Sequence, residues 1–413
     1  MNEEQVRVYL ERSKSSPINL SLQRRSEMYP RDPFFQIIPH TVGRLKSLTI
    51  DGVPENLQDI TAHLTCPAPL LEDVILCGDC VQTPDQYPVL TSALFNGDLS
   101  SLRNLSLDCV HTELPWRNMV NLTSFTLSNT PPGGITVIQL LDFFEGAPHL
   151  RDVDLYFAIP TPTPGAQSGR LVSLTCLKWM EINGSGPPSV LLDHLLIPVG
   201  AGLVLEADLL NSLVGDFLPR SLDNLRNLSR FSAIKLTIDG SCVYMTFSGP
   251  NGRVAAIPTI PQGNETRLAF ESLAQLDTSR TEQFRIGNGN PLSRDVVHQA
   301  LLPLRELRVL ILYRCYSPRT FIHALHPGTS SPEVAVCPKL EELVLILRDR
   351  REGIDIKWIT EMAEARASRG KKLKTVRIAD SWNIPNPEDM LEFGKHVGHV
   401  EYSPQVDTID YDW

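Results

Sequence analysis

Residues 102–127 read LRNLSLDCVHTELPWRNMVNLTSFTL, and the spacing inside them decides how the rest of the chain is read. Leu102, Leu105 and Leu107 stand at LxxLxL, and Leu122, Phe125 and Leu127 repeat that spacing 20 residues on. In an extended segment alternate side chains face opposite ways. The last two apolar residues of each triplet therefore share one face, and the residues between them point to the other. One such unit is too small to bury its own apolar side, whereas a stack of them is not.

The triplet recurs along the chain. Leu45, Leu48 and Ile50 form one, and Leu71, Val74 and Leu76 the next. After the quoted stretch come Leu150, Val153 and Leu155, then Leu177, Met180 and Ile182. Following a gap, Leu307, Leu310 and Leu312 restart the series. Leu340, Leu343 and Leu345 continue it, and Leu373, Val376 and Ile378 close it. Leucine-rich repeats run about 20–29 residues, each pairing a strand with a helix or a looser turn. The expected fold is α/β: a leucine-rich repeat solenoid with a curved parallel sheet and outer helices, irregular repeats and a β-hairpin-containing insertion.

Between the triplets, helical spacing predicts helices over 2–13, 135–144, 292–304, 354–369 and 387–396. Ile135, Ile138, Leu141 and Phe144 would share one face of the second, and Ile354, Trp358, Met362 and Ala365 one face of the fourth, which Gly370 would cap. PINLSL (17–22) predicts a first strand, and 400–402 a last one. In the middle, 188–228 reads as largely helical with a short strand at 203–205. IKLTID (234–239) and CVYMTF (242–247), separated by Gly240-Ser241, read as a hairpin with a two-residue turn. Residues 248–267 read as a loop with a short strand at 254–257, followed by a strand at 284–286. The expected organisation is 1–24 (opening helix and strand), 25–187 (N-terminal repeats), 188–291 (irregular middle with the hairpin) and 292–413 (C-terminal repeats and tail).

Composition narrows the function. The 413 residues carry a formal net charge of −10, which argues against nucleic acid, whose phosphates demand concentrated Lys and Arg. No apolar run approaches membrane-spanning length. The N-terminus has no signal-peptide core. The eight Cys are scattered and mostly lie beside apolar segments, as reduced core thiols do, so a cytoplasmic or nuclear protein is expected. Cys77-Gly78-Asp79-Cys80 has redox spacing but ends a repeat strand, and no second ligand pair would complete a zinc site. The ten His accompany no nucleophile motif. Gly287-Asn288-Gly289-Asn290 lacks the Lys and Ser/Thr of a phosphate loop. No cofactor, no metal and no catalytic residue is expected.

What remains is surface. The strand residues between the apolar ones place Ser47, Thr49, Asp73, Asn104, Ser106, Ser124, Thr126, Asp152 and Asp154 on one polar face. Later strands place Trp179, Glu181, Val309, Ile311, Tyr313, Glu342, Val344 and Ile346 there. Apolar side chains on a nominally open face mark either a partner-binding patch or ground covered by another segment of the chain. Trp179, Glu181, Val309, Ile311, Tyr313, Glu342, Val344, Ile346, Asp152 and Asp154 are the expected contact residues, with a protein as partner and a monomer as the resting state.

LPWRNMVNLTSFTL (114–127), ITVIQLLDFFEGAPHLRDVDLYF (135–157), the opening VYLERSKSSPINLSL and the closing WITEMAEARASRGKKLKTVRI resemble the F-box proteins of mushroom-forming fungi. These carry an F-box followed by divergent leucine-rich repeats. The resemblance implies capture of a protein substrate for an F-box-type (SCF) ubiquitin ligase, with no covalent chemistry in the repeats. This sequence departs from the family pattern in lacking the F-box itself. Docking to the ligase adaptor would require an F-box upstream. The alternatives are a stand-alone repeat scaffold unrelated to ubiquitin and, more remotely, a hydrolase.

Overall fold

A computed structural model describes residues 3–22, 41–52, 57, 60–78, 87–90, 94–112, 119–131, 134–158, 160, 169–184, 186–208, 218–219, 221–226, 231–239, 242–249, 252–259, 270, 273, 276, 278–288, 291–327, 335–347, 355–380 and 386–404. The chain divides into two compact units: Met1–Leu203 with Pro219–Leu225, and Val204–Leu218 with Arg226–Trp413. The strand Gly202–Asp208 falls at the division. Both units are mixed α/β, built on parallel strands.

In the first unit seven strands pair in parallel, in chain order: Ile18–Leu22, Leu45–Asp51, Asp73–Cys77, Asn104–Asp108, Ser124–Ser128, Asp152–Tyr156 and Trp179–Gly184. In the second, Ala233–Asp239, Gln283–Asn288, Val309–Tyr313, Glu342–Leu347, Thr375–Asp380 and His399–Ser403 do the same. Cys242–Gly249 and Gly252–Thr259 extend that sheet antiparallel, beyond Ala233–Asp239.

Every apolar triplet read from the sequence is buried. The structure adds a fourth buried place, three residues before the leading residue of every triplet but the last: Val42, Ala68, Leu99, Met119, Ala147, Leu174, Leu304 and Cys337, with Gly370 exposed at the ninth. It is there because the chain turns tightly before each strand. The leading N–H donates to the carbonyl three residues back, as from Leu102 to Leu99 at 3.1 Å, Leu122 to Met119 at 3.1 Å and Leu340 to Cys337 at 3.1 Å. At the other end of the strand, seven residues after the leader, Cys109, Asn129, Phe157 and Arg314 adopt left-handed backbone. Their N–H groups reach the next strand: Asn129 to Tyr156 O is 2.7 Å and Phe157 to Asn183 O is 2.6 Å. Gly78 occupies the same place, and a Cβ there would lie 2.6 Å from the Cys109 carbonyl oxygen.

This template identifies one repeat that the sequence hides. Thr281 leads the strand Gln283–Asn288, with Thr278 three residues before it and Phe284 and Ile286 after it, all buried. The Thr281 N–H makes the same turn bond, 3.0 Å to Thr278 O. The Thr278 and Thr281 hydroxyls have no hydrogen-bond partner among the described residues. Replacing a buried, unsatisfied hydroxyl by a methyl of the same shape removes a desolvation cost. Thr281→Val is therefore expected to stabilise the chain by about 1 kcal/mol, read as a higher urea midpoint. A lower midpoint would mean the hydroxyl is bonded.

Helices cross between strands. Val137–Gly146 starts on a capping box, Thr136 with Gln139, and its Phe143 ring packs 4.3 Å from that of Phe125 on the neighbouring strand. Its buried residues are Val137, Leu140, Leu141, Phe143 and Phe144, so the stripe is rotated from the expected one and Ile138 lies at its edge. Ile356–Ser368, capped by Asp355, likewise buries Ile356, Ile359, Met362, Ala363 and Arg366. Trp358 and Ala365 are only half-buried, and Trp358 instead lies 4.1 Å beneath the Arg319 guanidinium. Gly370 closes that helix at φ +71°, as expected. Arg294–Leu301, Pro318–Leu325, Ile356–Ser368 and Pro387–His396 pack each on the next in chain order.

Several expectations are corrected. Within 188–228 the described residues hold the short helices Ser189–Leu192 and Leu222–Asn224 and the strand Leu195–Leu196, not an extended helical stretch, while the strand expected at 203–205 lies within Gly202–Asp208. The short strand expected at 254–257 is present and longer, Gly252–Thr259. Pro318–Leu325, to which the spacing assigns no element, is helical. Tyr9, which helical spacing places with Val6 and Leu10 on the apolar side of the opening helix, is exposed. Cys109 is disulfide-bonded, so the all-thiol expectation fails there. The Gly240-Ser241 turn, Asp79-Cys80, Gly289-Asn290, Ile354 of the expected fourth helix and the tail beyond 404 lie outside the described residues.

Candidate functional site

The outward side of the first unit's sheet is three ladders of aligned residues. The first runs Asn19, Ser47, Asp73, Asn104, Ser124, Asp152, Trp179, and the second Ser21, Thr49, Ile75, Ser106, Thr126, Asp154, Glu181. The third runs Asp51, Cys77, Asp108, Ser128, Tyr156, Asn183. Neighbouring strands lie about 4.8 Å apart, so aligned side chains are close neighbours. Asp51, Asp73, Asp108, Asp152, Asp154 and Glu181 are carboxylates, and no position in the three ladders is Lys or Arg. Asp152 pairs in register with Trp179, and Asp154 with Glu181, so four of the expected contact residues do come together.

These acids are held in place by short polar contacts. Asn104 donates to Asp73, Asn129 Nδ2 donates to Asp108 Oδ1 at 2.8 Å, and Thr126 Oγ1 donates to Asp154 Oδ2 at 3.5 Å. Their common field shows in two groups. Burial, then the charge of Asp152, raises the Asp154 carboxyl above its usual range, against the lowering effect of the Thr126 bond. Burial, then Asp108 and Asp51, raises the Cys77 thiol. Cys77 is thus kept in its unreactive protonated form.

The shift of Asp154 has a consequence for stability. An acid that holds its proton more tightly in the folded than in the unfolded chain stabilises the fold below the unfolded carboxylate range. It loses that contribution as pH rises through its raised value. At neutral pH, where the unfolded chain's carboxyl is ionised, the raised group opposes folding. Asp154→Asn is expected to raise the urea midpoint at about pH 7 and to leave it unchanged near pH 3, below both values. An equal gain at both pH values would remove the electrostatic explanation.

At the end of this face Trp179, Tyr156 and Phe157 expose 38%, 45% and 44% of their surface. The Tyr156 and Phe157 rings meet edge to face, 4.7 Å apart. Asp51, Asp108, Tyr156 and Phe157 were not among the expected contact residues. The signal for them was present in the sequence, six and seven places after each leading leucine.

The second unit treats its outward ladders differently. Ile311, Val344 and Ile346 are 1%, 0% and 2% exposed, and with Ala379 they form a buried apolar cluster against the half-buried Val309 and Tyr313. Of the two readings of these residues, the buried one holds for Ile311, Val344 and Ile346, which are therefore withdrawn as contact residues. Arg285 and Arg314 lie over the Tyr313 ring at 4.6 and 5.0 Å. Arg377 sits 3.3 Å from both Glu342 and Glu401. Glu342 is thus engaged in an ion pair within the sheet.

Among the described residues no group of three or more His, Cys, Asp or Glu is placed to hold a metal ion, and no helix is long and apolar enough to cross a membrane. No protein-family model matches the chain, and no curated protein matches it either.

Proposed function

We propose that this chain is a leucine-rich repeat protein that holds a protein partner on the outward sheet face of its first unit and does no covalent chemistry of its own. The four-place buried template, repeated with its strand and turn, supports the leucine-rich repeat assignment. The observation that carries the function is the charge of the three ladders: six carboxylates and no cation. A surface of one sign selects a partner of the other and speeds its approach. The partner segment is therefore basic, with an apolar residue to seat against Trp179 and Tyr156, since buried aromatic anchors supply much of an interface's energy. By the resemblance to fungal F-box repeat proteins, that partner would be a substrate delivered to a ubiquitin ligase.

Fluorescence anisotropy with a labelled Lys/Arg-rich peptide containing one Leu tests the face. Saturable binding is expected, weakened at least about tenfold, or 1.4 kcal/mol, by Asp73→Lys with Asp152→Lys. Unchanged affinity in that variant would overturn the assignment. Affinity capture with mass spectrometry tests the ligase connection: co-purifying adaptor subunits support it, and capture of a partner without any ligase subunit favours the stand-alone scaffold.

A further inference from the structure

The edge of the first unit's sheet carries charge of the opposite sign to its face. One place after the successive leading residues stand Lys46, Glu72, Arg103, Thr123, Arg151 and Lys178. The backbone ties them into a line: each N–H donates to the preceding carbonyl, at 2.7–2.8 Å, from Glu72 to Lys46 O through to Lys178 to Arg151 O. Beside this line runs a groove of about 720 Å³, bordered by Lys46, Glu72, Arg103, Thr123 and Arg151, with Leu70 and His149 on its walls.

Most polar groups in the groove are already engaged. The Ser101 hydroxyl donates to Pro69 O at 2.6 Å, the Asn121 amide to Ser100 O at 2.7 Å, and the Thr123 hydroxyl to Arg103 O at 3.1 Å. The Lys46 ammonium faces Glu72 at 3.7 Å. Among the described residues, the side chains of Arg103, Arg151 and His149 have no partner. Arg103 and Arg151 lie two strands apart, about 10 Å at the backbone, on either side of Thr123. Arginine side chains are long enough for both to close on one acidic group between them.

We propose that this groove takes an extended acidic peptide segment of a protein partner, with a carboxylate seated between Arg103 and Arg151. The planar guanidinium fork matches a carboxylate in two hydrogen bonds at once. The walls favour a peptide over a bare anion: Pro17, Pro69 and the half-exposed Leu70 offer apolar contact that a small ion would not use. A polynucleotide is disfavoured by the net charge of −10, which repels a long polyanion, and by the short row of cations. Each residue of this line directly precedes one of the first ladder, and the two occupants are told apart by the opposite charge of their segments.

Anisotropy with the full chain and a labelled ten-residue Asp/Glu-rich peptide containing one Leu tests it at low ionic strength. Saturable binding is expected, falling with added salt. Arg103→Glu with Arg151→Glu should weaken it at least about tenfold, while the melting temperature stays unchanged and the binding of the basic peptide to the sheet face is not weakened. Arg103→Gln alone should give a smaller loss. No saturable binding by the parent chain, or equal affinity in the double variant, would overturn the proposal. So would tighter binding of a single-stranded oligonucleotide, or full displacement of the peptide by an equal concentration of inorganic phosphate.

Discussion

Val344→Asp is expected to unfold the second unit, at a cost above about 4 kcal/mol. Val344 is fully buried among Ile311, Ile346 and Ala379. A carboxylate placed there must ionise in an apolar surround or keep its proton at neutral pH, and either choice is costly. The neighbouring strand holds one potential rescuer, since Val344 and Arg377 are aligned in register. But Arg377 already lies 3.3 Å from both Glu342 and Glu401, so a single guanidinium would face three carboxylates. Ile311→Asp should behave similarly, because Ile311 aligns with Arg285, whose guanidinium lies over the Tyr313 ring. Urea unfolding read by far-UV circular dichroism, with hydrogen exchange to locate the loss, checks both. A variant that keeps the parent midpoint would show that this ladder is open to solvent.

The contrast between the two faces explains what could be read in advance. Strands of the first unit read NLSLD, SFTLS and DVDLY, with apolar and polar residues alternating, as one-sided burial requires. VLILY and ELVLIL do not alternate. Near-continuous aliphatic runs are the mark of strands buried on both sides, so the covering of Ile311, Val344 and Ile346 was legible in the run itself. The leucine triplets were legible because burial on the inner side tolerates little else. The repeat led by Thr281 was not, because a threonine takes the leucine's place and only the turn bond to Thr278 reveals it. The third antiparallel strand was legible only over 254–257, because glycine and proline at its ends hide its length, although Gly249-Pro250-Asn251-Gly252 is turn chemistry between two extended segments. On the candidate site, spacing placed Asp152, Asp154, Trp179 and Glu181 side by side. It did not extend the face to the six-place ladder, where Asp51, Asp108 and Tyr156 stand.

Arg366 supplies the other large effect, and no apolar pattern predicts it. It lies on the buried side of the helix Ile356–Ser368, only 2% exposed. Its Nη1 donates to Val336 O at 3.3 Å and its Nη2 to Cys337 O at 2.9 Å. Its Nε has no hydrogen-bond partner among the described residues, and burial lowers its affinity for the proton. The same Cys337 carbonyl takes the turn bond from Leu340, and Cys337 itself has left-handed backbone at φ 46°. Burial pushes its thiol up to about 12, so it stays protonated beside the guanidinium, with Sγ 3.5 Å from Leu301 O. Arg366 thus fastens the turn that feeds the strand carrying Val344. Arg366→Ala removes both bonds and leaves a hole the length of the side chain, for an expected cost of about 3–5 kcal/mol. Arg366→Met keeps most of the volume and removes the buried charge, so its cost should be at least about 2 kcal/mol smaller. Urea midpoints of the two variants decide the matter. Equal losses would mean that the two carbonyl bonds, not packing, account for the effect, and a loss below about 1 kcal/mol for the alanine variant would show that the turn holds without Arg366.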